Sequence, residues 1–357
     1  MNSKPTENAV RSGILIPTYK RKDFLDKSLH SVLDQTYREL EIIVIDNGSS
    51  DEIGKLITRL NDPRIRYIQN EKDIGLISSI RKGMQLFSDR VVWCTILPDD
   101  DLLDRDFIGS MADFVSCRRE IDVVHGHRIL INAEGHVLSE ASRPPEHESA
   151  AAYLFNRARF VRQTFLAGVF FSRSAYERVG GYPQFTTGMA SDDALIFALS
   201  VQYGLYFNGK AVSSIRMHAE AESHGHADLY RHFQAFDDFR RYVNEKAEIA
   251  GKYTAKELRL IRRTLLRYMR LTISALWMRR VHQVLIREEI TRSPALDQLY
   301  NTAVGHDYRF TARVRLSGFL GKSFGYCPEN SIVYRVMWDS LFKLYRFWLR
   351  IVPTRLT

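Results

Sequence analysis

The chain has 357 residues, 45% hydrophobic and 26% charged, which gives room for one large or two ordinary globular domains. Three widely separated cysteines (Cys94, Cys117 and Cys327) exclude a metal-finger spacing and a disulfide framework, so a reducing, cytoplasmic compartment is expected. The formal charge of +9 is uneven: from Ala227 onward 24 Lys and Arg face 12 Asp and Glu, and before it 27 face 30.

In chain order, MNSKPTENAVRSG has no apolar run of signal-peptide length, and nowhere do eighteen uninterrupted apolar residues occur. Neither a secretion signal nor an ordinary membrane span is therefore expected. Residues 13–19 read as a short buried strand ended by Pro17. A helix follows, with Phe24, Leu25, Leu29, Val32 and Leu33 at helical spacing. Glu41 to Ile45 is a second strand, running into the turn residues Asp46, Asn47, Gly48 and Ser49. A helix over about 52–61, a strand from Ile65 to Gln69, and a helix reaching about Phe87 come next. A further apolar strand then runs into Pro98-Asp99-Asp100-Asp101. Apolar strands alternating with amphipathic helices predict parallel βαβ units. In such sheets ligands bind at the carboxyl ends of the strands, where Pro17-Thr18-Tyr19, Asp46-Asn47-Gly48 and Asp99 to Asp101 would converge.

Three consecutive carboxylates after a buried strand repel one another and resist desolvation unless water or a cation sits among them. Hard divalent ions take oxygen ligands and bridge one or two carboxylates to a substrate phosphate. The pattern thus points to a metal–diphosphate site, with an acidic helix cap as the alternative. No GxGxxG or Walker-type glycine loop follows a strand, which argues against dehydrogenases and P-loop enzymes.

The stretch ILIPTYKRKDFLDKSLHSVLDQTYRELEIIVIDNGSSDE, then NEKDIGLISSIRKG, LPDDDLL, FFSRSAYERVGGYPQF, SDDALIFALSVQYG and IRMH, resembles the family 2 glycosyltransferases over roughly residues 12–220. The resemblance implies an α/β GT-A fold, a Rossmann-like and mostly parallel sheet flanked by helices. Pro17, Thr18 and Tyr19 would line the nucleotide base pocket, and Asp46 would accept from base or ribose. Asp99 and Asp101 would hold Mn²⁺ or Mg²⁺ with the sugar-nucleotide diphosphate, and Asp100 would face ribose or sugar. Asp192-Asp193 stands at the family's Glu-Asp, whose second residue is the general base in inverting members. His218 matches a metal- or diphosphate-binding position. Asn47 replaces an Asp of the family pattern with an amide that also donates. Arg81 lies near a family arginine, placing a cation near the diphosphate.

The chemistry asks for the same parts. A cation must neutralise the departing diphosphate, and a carboxylate from a separate segment must take the acceptor proton. Asp192-Asp193 also fits a helix N-cap, and Gly180-Gly181-Tyr182-Pro183 fits either a tight turn or an acceptor contact. His224 and His226 join His218 in a histidine cluster without a further zinc ligand. His125 and His127 lie on a predicted strand, Val123 to Ile131, with at most one expected to face a cleft. Trp93 and Cys94 read as packing residues.

Beyond Ala227 the pattern is helical and basic. Leu258 to Leu271 interleaves Arg259, Arg262, Arg263, Arg267 and Arg270 with aliphatics, and Ile332 to Ile351 has a narrow polar stripe on an apolar, aromatic helix. Such helices suit the interface of an anionic bilayer, or packing on the catalytic domain or a second copy of the chain. No nucleic-acid module accompanies the arginines, and no nucleic-acid partner is expected. The expected organisation is a tail (1–12), a catalytic domain (13–226) and a mainly helical domain (227–357). The expected activity is metal-dependent, inverting sugar transfer at the inner face of the cell membrane in cell-surface polysaccharide synthesis. The donor is a nucleotide-diphosphate sugar, a UDP-sugar first, and the acceptor a glycan or lipid-linked glycan. The rivals are a nucleotidyltransferase on a related fold and a catalytically inactive scaffold docking through its basic helices.

Overall fold

A computed structural model describes residues 11–49, 51–159, 161–162, 165–218 and 229–286. His224, His226 and the segment Ile332 to Ile351 lie outside the described residues. The chain opens with β1 (Ser12–Thr18), α1 (Lys22–Leu33), β2 (Leu40–Asp46), α2 (Glu52–Leu60), β3 (Ile65–Gln69), α3 (Leu76–Met84) and β4 (Trp93–Ile96). β1 pairs in parallel with β2 and β4, and β2 with β3. β1 and β2 are apolar runs buried on both faces, as a parallel sheet sandwiched between helices requires. Alternate residues feed two cores. Ile14, Ile16, Ile42 and Val44 meet Leu25, Leu29 and Val32 of α1, whereas Leu15, Ile43 and Ile45 pack with Ile80 and Met84 of α3.

The second half comprises β5 (Leu102–Leu103), α4 (Phe107–Ser116), β6 (Val123–Ile131), β7 (Val137–Glu140), β8 (His147–Glu148), α5 (Ala150–Ala158), β9 (Val169–Ser172), α6 (Arg173–Arg178), α7 (Ser191–Ser200) and β10 (Leu205–Arg216). The sheet order is β3-β2-β1-β4-β9-β6-β10-β5, with β7 added to β6 and β8 to β10. Only β9 and β5 run against the other strands of that path, so the expected mostly parallel α/β sheet is present. Trp93 stacks on Phe170 and Cys94 is buried, both as packing residues. His125 and His127 are both buried; His125 contacts Arg128 and His127 contacts Glu140.

α8 (Leu229–Ile249) and α9 (Ala255–Ile286) follow. Phe236, Phe239 and Val243 of α8 and Ile261, Leu265 and Tyr268 of α9 share one core with Leu195 and Phe197 of α7. The first part of the basic region therefore completes the packing of the sheet domain, with Arg259, Arg262 and Arg263 on the outer, exposed face.

β10 breaks register between Asn208 and Val212, where it bulges away from β6. The bulge drives the Ala211 carbonyl toward Gly126, where any Cβ would lie 2.4 Å from that oxygen. Downstream of the bulge, β10 delivers Arg216 to the sheet edge where β1, β2 and β4 end. Gly126→Ala should lower stability by about 1–3 kcal/mol through forced overpacking, read as a lower urea midpoint at unchanged m-value.

Candidate active site

Beyond β4, Pro98 supplies no N–H, and Asp101 N donates to Pro98 O (3.2 Å), turning the chain sharply. Asp99, Asp100 and Asp101 are only 5%, 9% and 5% exposed. Each has different company. Asp99 accepts from Thr18 Oγ1 (2.7 Å) at the end of β1, and Arg21 Nη1 lies 3.4 Å from its other oxygen. Asp100 Oδ2 receives Arg21 Nη1 (3.1 Å) and His218 Nε2 (2.9 Å). Asp101 Oδ1 accepts from the Arg216 backbone N–H (2.8 Å). Burial first, and then the neighbouring Asp100 charge, push the Asp99 carboxyl up to about 6 and the Asp101 carboxyl well above the ordinary range. Ionising either carboxyl is therefore costly in the protein alone, despite the cations nearby.

Arg216 is locked in place. Its Nε donates to Asp100 O (2.8 Å), and its Nη1 to Asn132 O and Ala133 O (3.1 and 2.8 Å). The Phe24 ring lies against both Arg216 (5.4 Å) and His218 (4.6 Å). Sequence reasoning took His218 from the Arg216-Met217-His218 segment and passed over its arginine, although residues two apart at a strand end point the same way. Arg21 was also missed, because Lys20-Arg21-Lys22 reads as a solvated turn.

The three loops at the strand ends meet as expected. Asn47 N donates to Thr18 O (2.9 Å), and Lys20 N to Ser49 Oγ (2.8 Å). Pro17 is buried in β1, and Tyr19 projects from its end at 39% exposure with Lys20 Nζ 4.7 Å from its ring centroid. Two expected donor contacts are taken by the protein itself. Asp46 is fully buried and accepts from Ser49 N (2.9 Å) and Tyr67 Oη (2.8 Å), so as placed it supports its own loop rather than a base or ribose. Burial and that carboxylate push the Tyr67 phenol up, which keeps it a donor. Asn47 donates through Nδ2 to Asp73, and its Oδ1 accepts from Ile74 N (2.9 Å), Ser79 Oγ (2.9 Å) and Asn70 Nδ2 (3.2 Å). An Asp at this position could not donate to Asp73, which explains the departure from the family pattern.

Arg81, expected near the diphosphate, makes its described contacts within the protein. Its Nη1 donates to Gly180 O (2.9 Å) and Tyr182 O (2.6 Å), strapping α3 to the Gly180-Gly181 turn. Tyr182 in turn donates to Asp192. The two candidate bases at the start of α7 are unlike. Asp193 is buried, salt-bridged to Arg157 Nε (2.8 Å) and accepting from Tyr153 Oη and Tyr268 Oη (2.9 Å each). It joins α5, α7 and α9. Asp192 is only half-buried.

Among the described residues, no three carboxylate, imidazole or thiol groups are gathered tightly enough to hold an ion by themselves. The donor set nevertheless fits a hard cation completed by a diphosphate. Burial disfavours the ionised form of Asp99 and Asp101, the form that a cation would stabilise. With His218 Nε2 donating to Asp100, its buried Nδ1 has no hydrogen-bond partner, as suits an imidazole ligand oriented by a carboxylate.

Residues 13–180 match the family described as "Glycosyl transferase family 2". That segment, a little under half of the chain, is similar to the family 2 glycosyltransferases, and the sheet has the GT-A type of architecture. An uncharacterized glycosyltransferase of Haemophilus influenzae is 36% identical over 132 residues, 35% of this chain and 39% of the relative. The Campylobacter jejuni GalNAc(5)-diNAcBac-PP-undecaprenol beta-1,3-glucosyltransferase is 30% identical over 132 residues, 36% of this chain and 41% of that protein. The match thus spans about two fifths of the length of these relatives. Residues 1–349 of Staphylococcus aureus TarS, solved in complex with UDP-GlcNAc, superpose with a TM-score of 0.52 at 11% identity, covering 77% of this chain and 86% of that one.

A carboxyl with a raised folded-state pKa binds more protons folded than unfolded. Through Asp99, the cation-free protein should gain stability as pH falls from about 7 toward 4 and lose it as pH rises through about 6. Protons also compete with a cation there, so a Mn²⁺-induced rise in Tm present at about pH 7.5 should shrink by about pH 5.5. Melting curves at both pH values, with Asp99→Asn as the control lacking the group, check both signs.

Proposed function

We propose that this protein is a metal-dependent, inverting glycosyltransferase that moves a sugar from a nucleotide-diphosphate sugar to a glycan or lipid-linked acceptor. The observation that carries the reading is the convergence of Thr18, Asp99, Asp101 and His218 at the carboxyl edge of the parallel strands, where burial disfavours ionised carboxylates that a cation would stabilise. Exposed Tyr19 offers a ring for the base. Thr18 holds Asp99 in place, while Asp99, Asp101 and His218 would hold the cation. That cation, Mn²⁺ or Mg²⁺, supplies Lewis-acid neutralisation of the leaving diphosphate.

The acceptor proton goes to the Asp192-Asp193 segment, on a separate stretch of chain as attack opposite the leaving group requires. Asp192 is the better placed member. A base must reach a bound hydroxyl, and Asp193 is enclosed by Arg157 and two tyrosines. The new C–O bond forms at the sugar carbon as the bond to the diphosphate breaks, and Asp192 leaves protonated.

The C. jejuni relative's polyprenyl-diphosphate acceptor favours a lipid-linked substrate here. The outer face of α9, with Arg259, Arg262 and Arg263 exposed near Leu266, is suited to anionic headgroups. Among the described residues, no helix is long and apolar enough to cross a membrane, so contact of this kind would be peripheral.

A melting-temperature screen of UDP-, GDP-, dTDP- and CDP-sugars with and without Mn²⁺ tests the reading. Binding at a hundredfold excess over Kd should add about 2.7 kcal/mol, and folded protein that responds to none of them would sink the proposal. The same assay, run with turnover, separates the two aspartates. Asp192→Asn should keep donor binding and stability while lowering kcat by about 10²–10⁴-fold. Asp193→Asn should mainly destabilise, by about 3 kcal/mol. A fully stable Asp193→Asn protein without turnover would transfer the base role to Asp193.

A further inference from the structure

The end of α5 and the middle of α9 meet beside the candidate base, and arginines crowd the meeting. Arg157 is salt-bridged to Asp193, with its guanidinium 5.5 Å from the centroid of the Tyr268 ring, and Arg162 pairs with Glu148. Two more arginines adjoin these contacts. Arg159 caps the end of α5, two residues after Arg157, and Arg267 precedes Tyr268 on α9. Both are half-buried. Among the described residues neither has a carboxylate partner, and Arg159 rests against the Phe155 ring, its guanidinium 5.4 Å from the centroid. Burial, and then the charge of Arg159, hold the Arg267 guanidinium pKa below its ordinary value. The carbonyl dipoles at the end of α5 account for a cation at Arg159. They do not account for Arg267, which stands in mid-helix. Like charges drawn together out of water cost stability unless an anion joins them.

We propose that Arg159 and Arg267 form a clamp for the diphosphate of a lipid-linked acceptor, separate from the aspartate turn that serves the donor. The inference rests on the glycosyltransferase reading and names the acceptor's chemistry within it. Guanidinium forks match phosphate oxygens bidentately, and two of them suit the two phosphate groups of a diphosphate. The surroundings favour a lipid diphosphate over a free one. Phe155 lies against Arg159, and Val161 and Leu266, within two residues of the pair, are 42% and 37% exposed. An isoprenoid chain gains from covering such apolar surface while its diphosphate meets the arginines. The position also suits an acceptor. Arg157 and Tyr268 hold Asp193, so the pair lies within two residues of the contacts that fix the start of α7, where Asp192 takes the acceptor proton.

The test uses the full chain in EDTA, so that no divalent cation draws a diphosphate into the aspartate turn. Farnesyl diphosphate is titrated calorimetrically into wild type, Arg159→Gln and Arg267→Gln, with farnesol, inorganic pyrophosphate and phosphatidylglycerol vesicles as parallel probes. Wild type should bind farnesyl diphosphate more tightly than pyrophosphate and ignore farnesol. Each substitution should weaken farnesyl diphosphate binding by about tenfold or more, through loss of charge-assisted hydrogen bonds. Melting separates this role from a structural one, because removing one of two repelling charges should leave Tm unchanged or raise it. No binding by wild type, or equal affinity in all three proteins, would overturn the clamp. Equal affinity of wild type for pyrophosphate and farnesyl diphosphate would overturn the lipid assignment. Vesicle binding that falls in the variants, with no competition from farnesyl diphosphate, would reassign the pair to membrane headgroups and overturn the clamp as well. The melting screen with nucleotide sugars reads the donor side separately. A silent screen would sink the transferase reading, and the acceptor role with it, even where the arginines hold the diphosphate.

Discussion

Everything at the carboxyl edge of the sheet follows from placing three consecutive carboxylates in a buried turn. Isolated, each would cost several kcal/mol of desolvation, and the chain brings in compensation from three distant segments. Thr18 comes from the end of β1, Arg21 from the entry to α1, and Arg216 and His218 from the end of β10. The aspartate turn is thus what ties the beginning of the sheet domain to its last strand. The bulge in β10 and the glycine that accommodates it belong to the same solution, because they set the register in which Arg216 reaches Asp101. Burial still raises the Asp99 and Asp101 carboxyls, so these contacts do not fully offset the cost of ionising them.

Around this centre the polar residues divide into those that shape loops and those left to meet a ligand. Asn47 gathers Asp73, Ile74, Ser79 and Asn70 into one network, so the loop between β3 and α3 is held at a fixed height above the strand ends. Asp46 does the same for Ser49 and Tyr67. Arg81 joins α3 to the loop that carries Tyr182, and Tyr182 reaches Asp192. Hence a change at Arg81 would be felt at Asp192 through two hydrogen-bonded steps.

The strands and their polar ends were legible because burial on both faces leaves continuous apolar runs, and each run stops at a polar cluster. The aspartate turn stood out for the same reason. What could not be read was the wiring between loops. Asn47 and Asp73 are 26 residues apart, and Arg81 and Gly180 are 99 apart. No local period carries that information, so the loop-bracing contacts of residues expected at the ligand could not be foreseen. Arg21 and Arg216 were lost in the opposite direction, since a short cationic cluster and a lone strand arginine look like solvated surface until a distant carboxylate is placed against them. The pair at residues 192 and 193 shows where a partial reading ends. Adjacent residues on a helix point about 100° apart, so the two carboxylates had to face different surroundings, but the sequence does not say which surrounding is the cleft.

The helices after residue 228 bear on that last point. Tyr268 of α9 donates directly to Asp193, and Arg157 of α5 completes the same cluster. The inner face of α9 is therefore part of the wall that fixes the start of α7, and with it the position of Asp192. Its outer face carries the exposed arginines. A helix that is core on one side and cationic on the other cannot be a detachable anchor, because pulling it away would uncover Asp193 with its arginine and leave a buried charge short of a donor. Any surface that engages the outer arginines therefore meets the same helix that fixes the start of α7. The exposed arginines and the position of Asp192 are thus linked by opposite faces of the same few turns.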